Sequence, residues 1–290
     1  MTGVDARARL APYGFILLWS SSFITARIGL PLVSPLLFVA VRLVAAAALL
    51  GVATAVWPQP WAALRGRWHH VALAGVLING ITLSAFHVGM VTENAAIMAL
   101  VQASSPMLIA LSAVPLLGER LRPRQWLGLV LGAAGVALVV APRIVSSAGA
   151  WSAIGLGFIG VLSLAGGTVY FSRFGRGVPL VPATAVQLAA AAVVTAALTL
   201  CLERPHAVWT LPVVAAVTWN VVAVSIGAMA LYYYMLGHGT AGRVAANFYL
   251  IPGTVALLGW ALLGERLAPL AVLGFAVASL GVFMVARPRR

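Results

Sequence analysis

The sequence predicts an all-α integral membrane protein, with ten transmembrane helices in two inverted five-helix repeats around a central cavity. Three observations predict it. The 290 residues are 62% hydrophobic and 8% charged, whereas soluble domains carry about 25% charged residues, so lipid must solvate most of the surface. Ten apolar runs each approach the roughly 20 residues that a helix needs to cross a bilayer core. The hexapeptide LLGERL occurs at 116–121 and again at 262–267, 146 residues later.

The runs lie near 11–29, 35–56, 70–91, 95–117, 124–142, 151–173, 180–201, 212–236, 242–263 and 269–286. Short connections rich in Pro, Gly and Arg separate them: PQP at 58–60, RPR at 122–124, GRGVP at 175–179 and ERP at 203–205. No segment is polar enough to form a soluble domain. Trp57, Trp61, Trp68 and Trp209 fall near span ends, where the amphipathic indole suits the membrane–water interface. The single cysteine, Cys201, cannot form an intramolecular disulfide and is expected to be buried in an apolar environment.

The duplication extends well past the hexapeptide. Residues 116–142 align without a gap on 262–288, with 13 of 27 positions identical. The same shift carries Pro106 onto Pro252, and Arg27 and Gly29 onto Arg173 and Gly175. Spans one and six are therefore counterparts, and the first is read as a span rather than a cleaved leader. The expected units are 1–144 and 145–290. Five helices per unit is an odd number, so the second unit must enter the membrane from the opposite side, as in the inverted repeats of secondary transporters.

Charge gives an independent reading. All 18 basic residues are arginine, against 5 acidic residues. The face holding both termini would carry 13 arginines and the other face Arg27, Arg143, Arg204 and Arg266, with Arg42 inside a span. Cytoplasmic loops are the arginine-rich ones, so both termini are expected in the cytoplasm. The arginines form no continuous basic face, which argues against nucleic acid as a partner. The expected partners are a small-molecule substrate and the lipid bilayer, with no obligate protein partner.

The pattern P-x8-P-LLGERL-x-P-x3-LG-x6-G, with a second copy lacking only the middle proline, resembles the EamA-type fold of the drug/metabolite transporter superfamily. The resemblance covers nearly the whole chain and is closest to bacterial amino-acid exporters, including those for aromatic amino acids. It implies a carrier of the bacterial cytoplasmic (inner) membrane that moves amino acids outward by alternating access, with no cofactor and no enzymatic activity. The substrate implied is an amino acid with a large apolar or aromatic side chain. The alternative is the same architecture carrying another small metabolite or drug, such as a nucleotide sugar, a polyamine or a toxic cation. Polyamines and cations call for carboxylates at mid-membrane, and sugar phosphates for more basic residues than Arg42.

Within the GER motif, Gly118 and Gly264 suit a left-handed helix end, and Pro123 and Pro269 the start of the next helix. Glu119 and Glu265 suit the dipole of that following helix. A tight helix–turn–helix is expected at each copy. Pro106 and Pro252 fall within spans four and nine, where proline frees the carbonyl four residues back. They are the expected kink or gating points.

Helical spacing nominates the cavity. Asn79, Phe86, His87 and Met90 share a stripe of span three, and the shift maps them onto Ser225, Tyr232, Tyr233 and Leu236 of span eight. Phe86 and the tyrosines would wall an apolar side chain; Asn79, Ser225 and the hydroxyls would bind a polar end. Spans four and nine add Gln102, Ser105, Asn247 and Tyr249; spans one and six add Trp19, Ser20, Ser22 and Tyr170. Arg42 stands about seven residues into span two, roughly 10 Å from its outer end. An arginine in hydrocarbon costs on the order of 3 kcal/mol, so it needs a partner or a water path. Arg42, His87 and Glu93 are the candidates for coupling or for binding a carboxylate. GLGFIG at 155–160 matches a dinucleotide fingerprint but lies inside an apolar span and is read as close helix packing. Gly128 and Gly132 are read as a packing face between spans five and ten. No phosphate-binding loop ending in GK[ST] is present.

Overall fold

A computed structural model describes residues 3–92, 98, 101–102, 104–118, 120–144, 151–263 and eight positions between 273 and 284. The described chain is helical throughout, with one isolated antiparallel bridge, Val33 to Ala207, and no β-strand among the described residues. The principal helices are α1 (Gly3–Gly29), α2 (Pro35–Val56), α3 (Trp68–Val91), α4 (Ser105–Leu117), α5 (Pro123–Ile144), α6 (Trp151–Phe174), α7 (Leu180–Leu202), α8 (Leu211–His238) and α9 (Ala241–Leu262). The described positions from 273 to 284 are also helical. Among the described residues, six helices are long and apolar enough to cross a membrane: α2, α3, α6, α7, α8 and α9. The molecule is an all-α, multi-pass membrane protein. Leu200, Leu202, Leu211 and Val193 are each at least 70% exposed, which lipid rather than water makes favourable.

Local chemistry sets the helix ends. Pro35 opens α2, and the Glu203 carboxylate accepts from Leu36 N at 3.2 Å and Leu37 N at 3.0 Å. A negative charge there satisfies orphan amides and favours the helix dipole. Helix α4 ends on Gly118 at φ 64°, a conformation that glycine adopts without steric cost. Pro123 then opens α5, and Arg122 N donates to Gln125 Oε1 at 3.0 Å. The expected tight turn is present at the first GER copy. Glu119 and the second copy, including Gly264, Glu265 and Pro269, lie outside the described residues.

Two π-helical segments interrupt otherwise regular helices, Val76–Ile81 in α3 and Asn220–Ala228 in α8. Shifted by 146 residues, the first falls inside the second. In α3, the Thr82 and Ser163 hydroxyls both donate to Leu77 O, at 2.8 and 2.9 Å, supplying partners for a carbonyl in the loosened turn. Span nine has its own irregularity: Ala246–Leu250 tightens to a 3-10 turn before Pro252. In span four a turn at Ser104 precedes Pro106 in the same way. Both prolines are buried near the start of a new helical segment.

Packing interleaves the two halves. Helix α1 packs on α8 and α9, and its counterpart α6 packs on α3 and α4. Helix α2 lies along α7, its own counterpart, and also meets α8, while α7 meets α3. Every one of these contacts thus has its mirror under the shift. Loops expected on one face also touch. Ser34 N donates to His206 O at 3.0 Å and Val208 N to Leu32 O at 2.8 Å. On the opposite face Arg67 Nη1 donates to Arg176 O at 2.9 Å. A Cβ on Gly281 would lie 2.5 Å from Gly128 O and 2.6 Å from Gly132 N, so the small face of α5 does admit another helix backbone. GLGFIG packs against neighbouring helices as expected: Gly157 abuts Val101 and Met98, and Gly160 abuts Phe86. Cys201 departs from expectation. It is exposed, because it shares the outer side of α7 with Leu200 and Leu202, and a bundle in lipid turns apolar residues outward.

Candidate functional site

A narrow cavity, with about 20 Å³ of room for the centre of a water-sized sphere, lies among α1, α3, α8 and the segment before α4. Its lining is Trp19, Ser22, Phe23, Leu83, Phe86, His87, Met90, Gln102 and Val224. Its residues from α1 and α3 occupy the C-terminal halves of those helices, toward the face of the paired 30–34 and 203–210 loops. Six of the residues expected at the cavity line it: Trp19, Ser22, Phe86, His87, Met90 and Gln102. Phe23, Leu83 and Val224 were not nominated. The signal for Leu83 was present, since Leu83, Phe86, His87 and Met90 are spaced i, i+3, i+4, i+7.

The polar groups in this wall are unevenly satisfied. His87 Nδ1 lies 2.8 Å from Leu83 O; a carbonyl only accepts, so Nδ1 carries the proton. In the neutral ring Nε2 is then an acceptor, and it is buried without a partner among the described residues. Gln102 Oε1 is a second buried acceptor without a partner among the described residues. Eight other buried side-chain atoms also lack a partner among the described residues, but only these two belong to residues that line the cavity, where a donating group could reach them. Apolar surface surrounds them, chiefly Trp19, Phe23, Phe86 and Met90.

Arg42 stands one hydrogen bond behind the wall. It is 1% exposed. Its Nη1 donates to Ser22 Oγ at 3.2 Å and its Nε to Ser225 Oγ at 3.1 Å. Ser22 in turn donates to Asn220 Oδ1 at 3.0 Å, and Asn220 Nδ2 donates to Thr25 Oγ1 at 2.6 Å and Ala216 O at 3.0 Å. No carboxylate pairs with Arg42 among the described residues; Glu203 is used at the start of α2, and Glu93 lies outside the described residues.

The remaining nominated residues lie elsewhere. Asn79 does not face the cavity, because the π segment around it rotates it away from the line of Phe86 and His87. It donates through Nδ2 to Tyr233 OH at 2.7 Å. Tyr232 OH lies 2.6 Å from Thr168 Oγ1, whose own proton goes to Leu164 O at 2.6 Å, so the tyrosine donates. Both tyrosines are buried. With Phe15, Trp19, Phe171 and Phe248 they form an aromatic plug whose neighbouring ring centroids are 5.2–5.8 Å apart. Trp19 belongs to both regions, flooring the cavity and capping the plug. Ser225 meets Arg42 rather than the cavity. Asn247 Nδ2 donates to Val244 O at 2.9 Å, and the Tyr249 ring lies against Gly132 of α5. Ser20 Oγ reaches Ile251 O at 3.5 Å, and Ser105 Oγ is buried without a partner among the described residues. Tyr170 joins His70 and Phe174 at the far end of α3 and α6, with its hydroxyl 2.5 Å from His70 Nδ1. Among the described residues, no three His, Cys, Asp or Glu side chains group to hold a metal ion.

Known proteins match this architecture over nearly its full length. The model of the EamA-like transporter family matches twice, over residues 11–141 and 151–287. The chain is 30% identical over 285 residues to the uncharacterized inner membrane transporter YedA of Escherichia coli (strain K12), covering 95% of this chain and 89% of that protein. It is 25% identical over 293 residues to the chloroplastic WAT1-related protein At3g02690 of Arabidopsis thaliana, covering 96% of this chain and 68% of that one. A solved crystal structure superposes with a TM-score of 0.79 at 23% identity, covering 96% of each chain, and shares the fold. Doubled sequence, interleaved helices and family match agree, and the chain belongs to the EamA-like transporter family.

Proposed function

We propose that this protein exports amino acids with large apolar or aromatic side chains across the bacterial inner membrane by alternating access. The observation that carries the reading is the cavity wall. It combines an aromatic and aliphatic surface with two buried acceptors that lack partners among the described residues, His87 Nε2 and Gln102 Oε1, beside a buried guanidinium. An ammonium group donates to such acceptors, a ring fits against Trp19, Phe23 and Phe86, and a carboxylate is attracted by the positive charge. No carboxylate lines the cavity among the described residues, which disfavours polyamines and drug cations. The family match and the resemblance to an inner membrane transporter support transport and location.

The units 1–144 and 145–290 act as inverted repeats in this reading, with both termini in the cytoplasm. The aromatic plug then closes the cytoplasmic side, and the cavity faces outward. The carrier needs no bound cofactor and performs no chemistry on its cargo. Purified protein in liposomes loaded with each of the twenty amino acids should show counterflow of labelled phenylalanine or a similar residue, well above empty liposomes. Equal flux in protein-free vesicles for all twenty would remove the assignment.

A further inference from the structure

The two halves treat equivalent positions differently. The shift of 146 maps Asn79 onto Ser225, Thr168 onto Ser22, Tyr233 onto His87 and Tyr232 onto Phe86. In the plug, Asn79 and Thr168 each hold a tyrosine hydroxyl, at 2.7 and 2.6 Å. In the cavity half the counterparts Ser225 and Ser22 hold neither His87 nor Phe86. Both instead accept from Arg42, at 3.1 and 3.2 Å. One guanidinium thus occupies both positions that lock the closed half. Its own counterpart is Leu188, which can do nothing of the kind.

We infer that Arg42 is the residue that reads the carboxylate of the cargo, and that its transfer from Ser22 and Ser225 to that carboxylate releases the cavity half to close. This deepens the proposed amino-acid transport and rests on it. The chemistry is asymmetric in the required direction. Arg42 now bonds two neutral hydroxyl oxygens, whereas a carboxylate offers a charged, bidentate match to the guanidinium fork. Ser225 only accepts from Arg42 and keeps its own proton, so once the guanidinium withdraws the hydroxyl can turn to donate to His87 Nε2, an acceptor without a partner among the described residues. Their contact is the counterpart of the bond between Asn79 and Tyr233, so closing the cavity half reproduces an arrangement already present in the plug. Cargo lacking a carboxylate leaves Arg42 on the two serines and the cavity held apart.

The test uses three probes of one ring size: phenylalanine, phenethylamine, which lacks the carboxylate, and 3-phenylpropionate, which lacks the ammonium. Flux is measured in proteoliposomes with wild type, Arg42→Lys and Arg42→Leu, the last being the residue of the other repeat. Wild type should move phenylalanine at least about tenfold faster than phenethylamine, the penalty for leaving a buried charged donor unmatched. Arg42→Leu should reduce that ratio to about one by slowing phenylalanine, and Arg42→Lys should retain an intermediate ratio. Wild type moving phenethylamine as fast as phenylalanine would overturn the role of Arg42 while leaving amino-acid transport standing, and so would an unchanged ratio in Arg42→Leu. Flux of phenethylamine without flux of phenylalanine would instead refute the proposed cargo, and the inference with it. If Arg42→Leu fails to reach the membrane, the wild-type ratio and the Arg42→Lys ratio decide.

Discussion

The cavity and the aromatic plug are the same part of two repeated units, and they differ in almost every contact. Phe86, His87, Ser22 and Gln102 are buried but line a small cavity, whereas their counterparts Tyr232, Tyr233, Thr168 and Phe248 are buried against one another with no such space between them. Two substitutions of chemistry account for much of this. The plug has hydroxyl-bearing rings where the cavity has Phe86 and an imidazole, and Phe248 where the cavity has Gln102. Arg42 then takes the two serines that could have closed the cavity half. In the proposed transport cycle, a repeat with mirrored backbone and unmirrored side chains would give one face that seals by default and one that seals on demand.

The plug can be broken outright. Tyr232→Ala removes a fully buried ring and should cost about 3 kcal/mol or more of stability, read as a large fall in the thermal midpoint of the solubilised protein. A change below about 1 kcal/mol would mean that the plug is loosely packed. Making the cavity resemble the plug should have the next largest effect. Gln102→Phe installs the counterpart residue, fills the space beside His87 and should lower phenylalanine counterflow about tenfold or more with a near-normal thermal midpoint. Undiminished flux would take Gln102 out of the pathway. Tyr232→Phe sharpens the comparison by deleting only the bond to Thr168. About 1 kcal/mol of destabilisation is expected, measured by the same melting assay. Cys201→Ser lies on the exposed side of α7 and should shift stability by less than about 0.5 kcal/mol, leaving a cysteine-free background for labelling.

The fold was legible because its signals are long-range in number but simple in kind. Apolar runs mark the spans, and an identical hexapeptide at a fixed shift marks the repeat, so pairing of α1 with α6 and of α3 with α8 could be read before any coordinate. The cavity was legible only in part. Helical spacing found Phe86 and His87, and the unusual polarity of spans one and four found Trp19, Ser22 and Gln102. Asn79 was placed on their stripe by assuming 3.6 residues per turn, and the π segment at Val76–Ile81 breaks that count. Symmetry alone puts Tyr232 and Tyr233 in the cavity, yet their hydroxyls bond Thr168 and Asn79 and their rings pack among other aromatics, so the two halves are not packed alike. The partners of Arg42 were not legible at all. Ser22 and Ser225 stand 20 and 183 residues away in sequence, and no local pattern links them.

The most direct measurement compares Met90 with its counterpart Leu236, each replaced by cysteine in the Cys201→Ser background. A membrane-impermeant maleimide is applied from either side of oriented vesicles, with and without saturating phenylalanine. Without cargo, position 90 should label from the periplasmic side while position 236 stays protected. With cargo, labelling at 90 should fall and labelling at 236 from the cytoplasmic side should rise. Identical labelling of the two positions in both conditions would contradict a cavity and a plug that exchange roles.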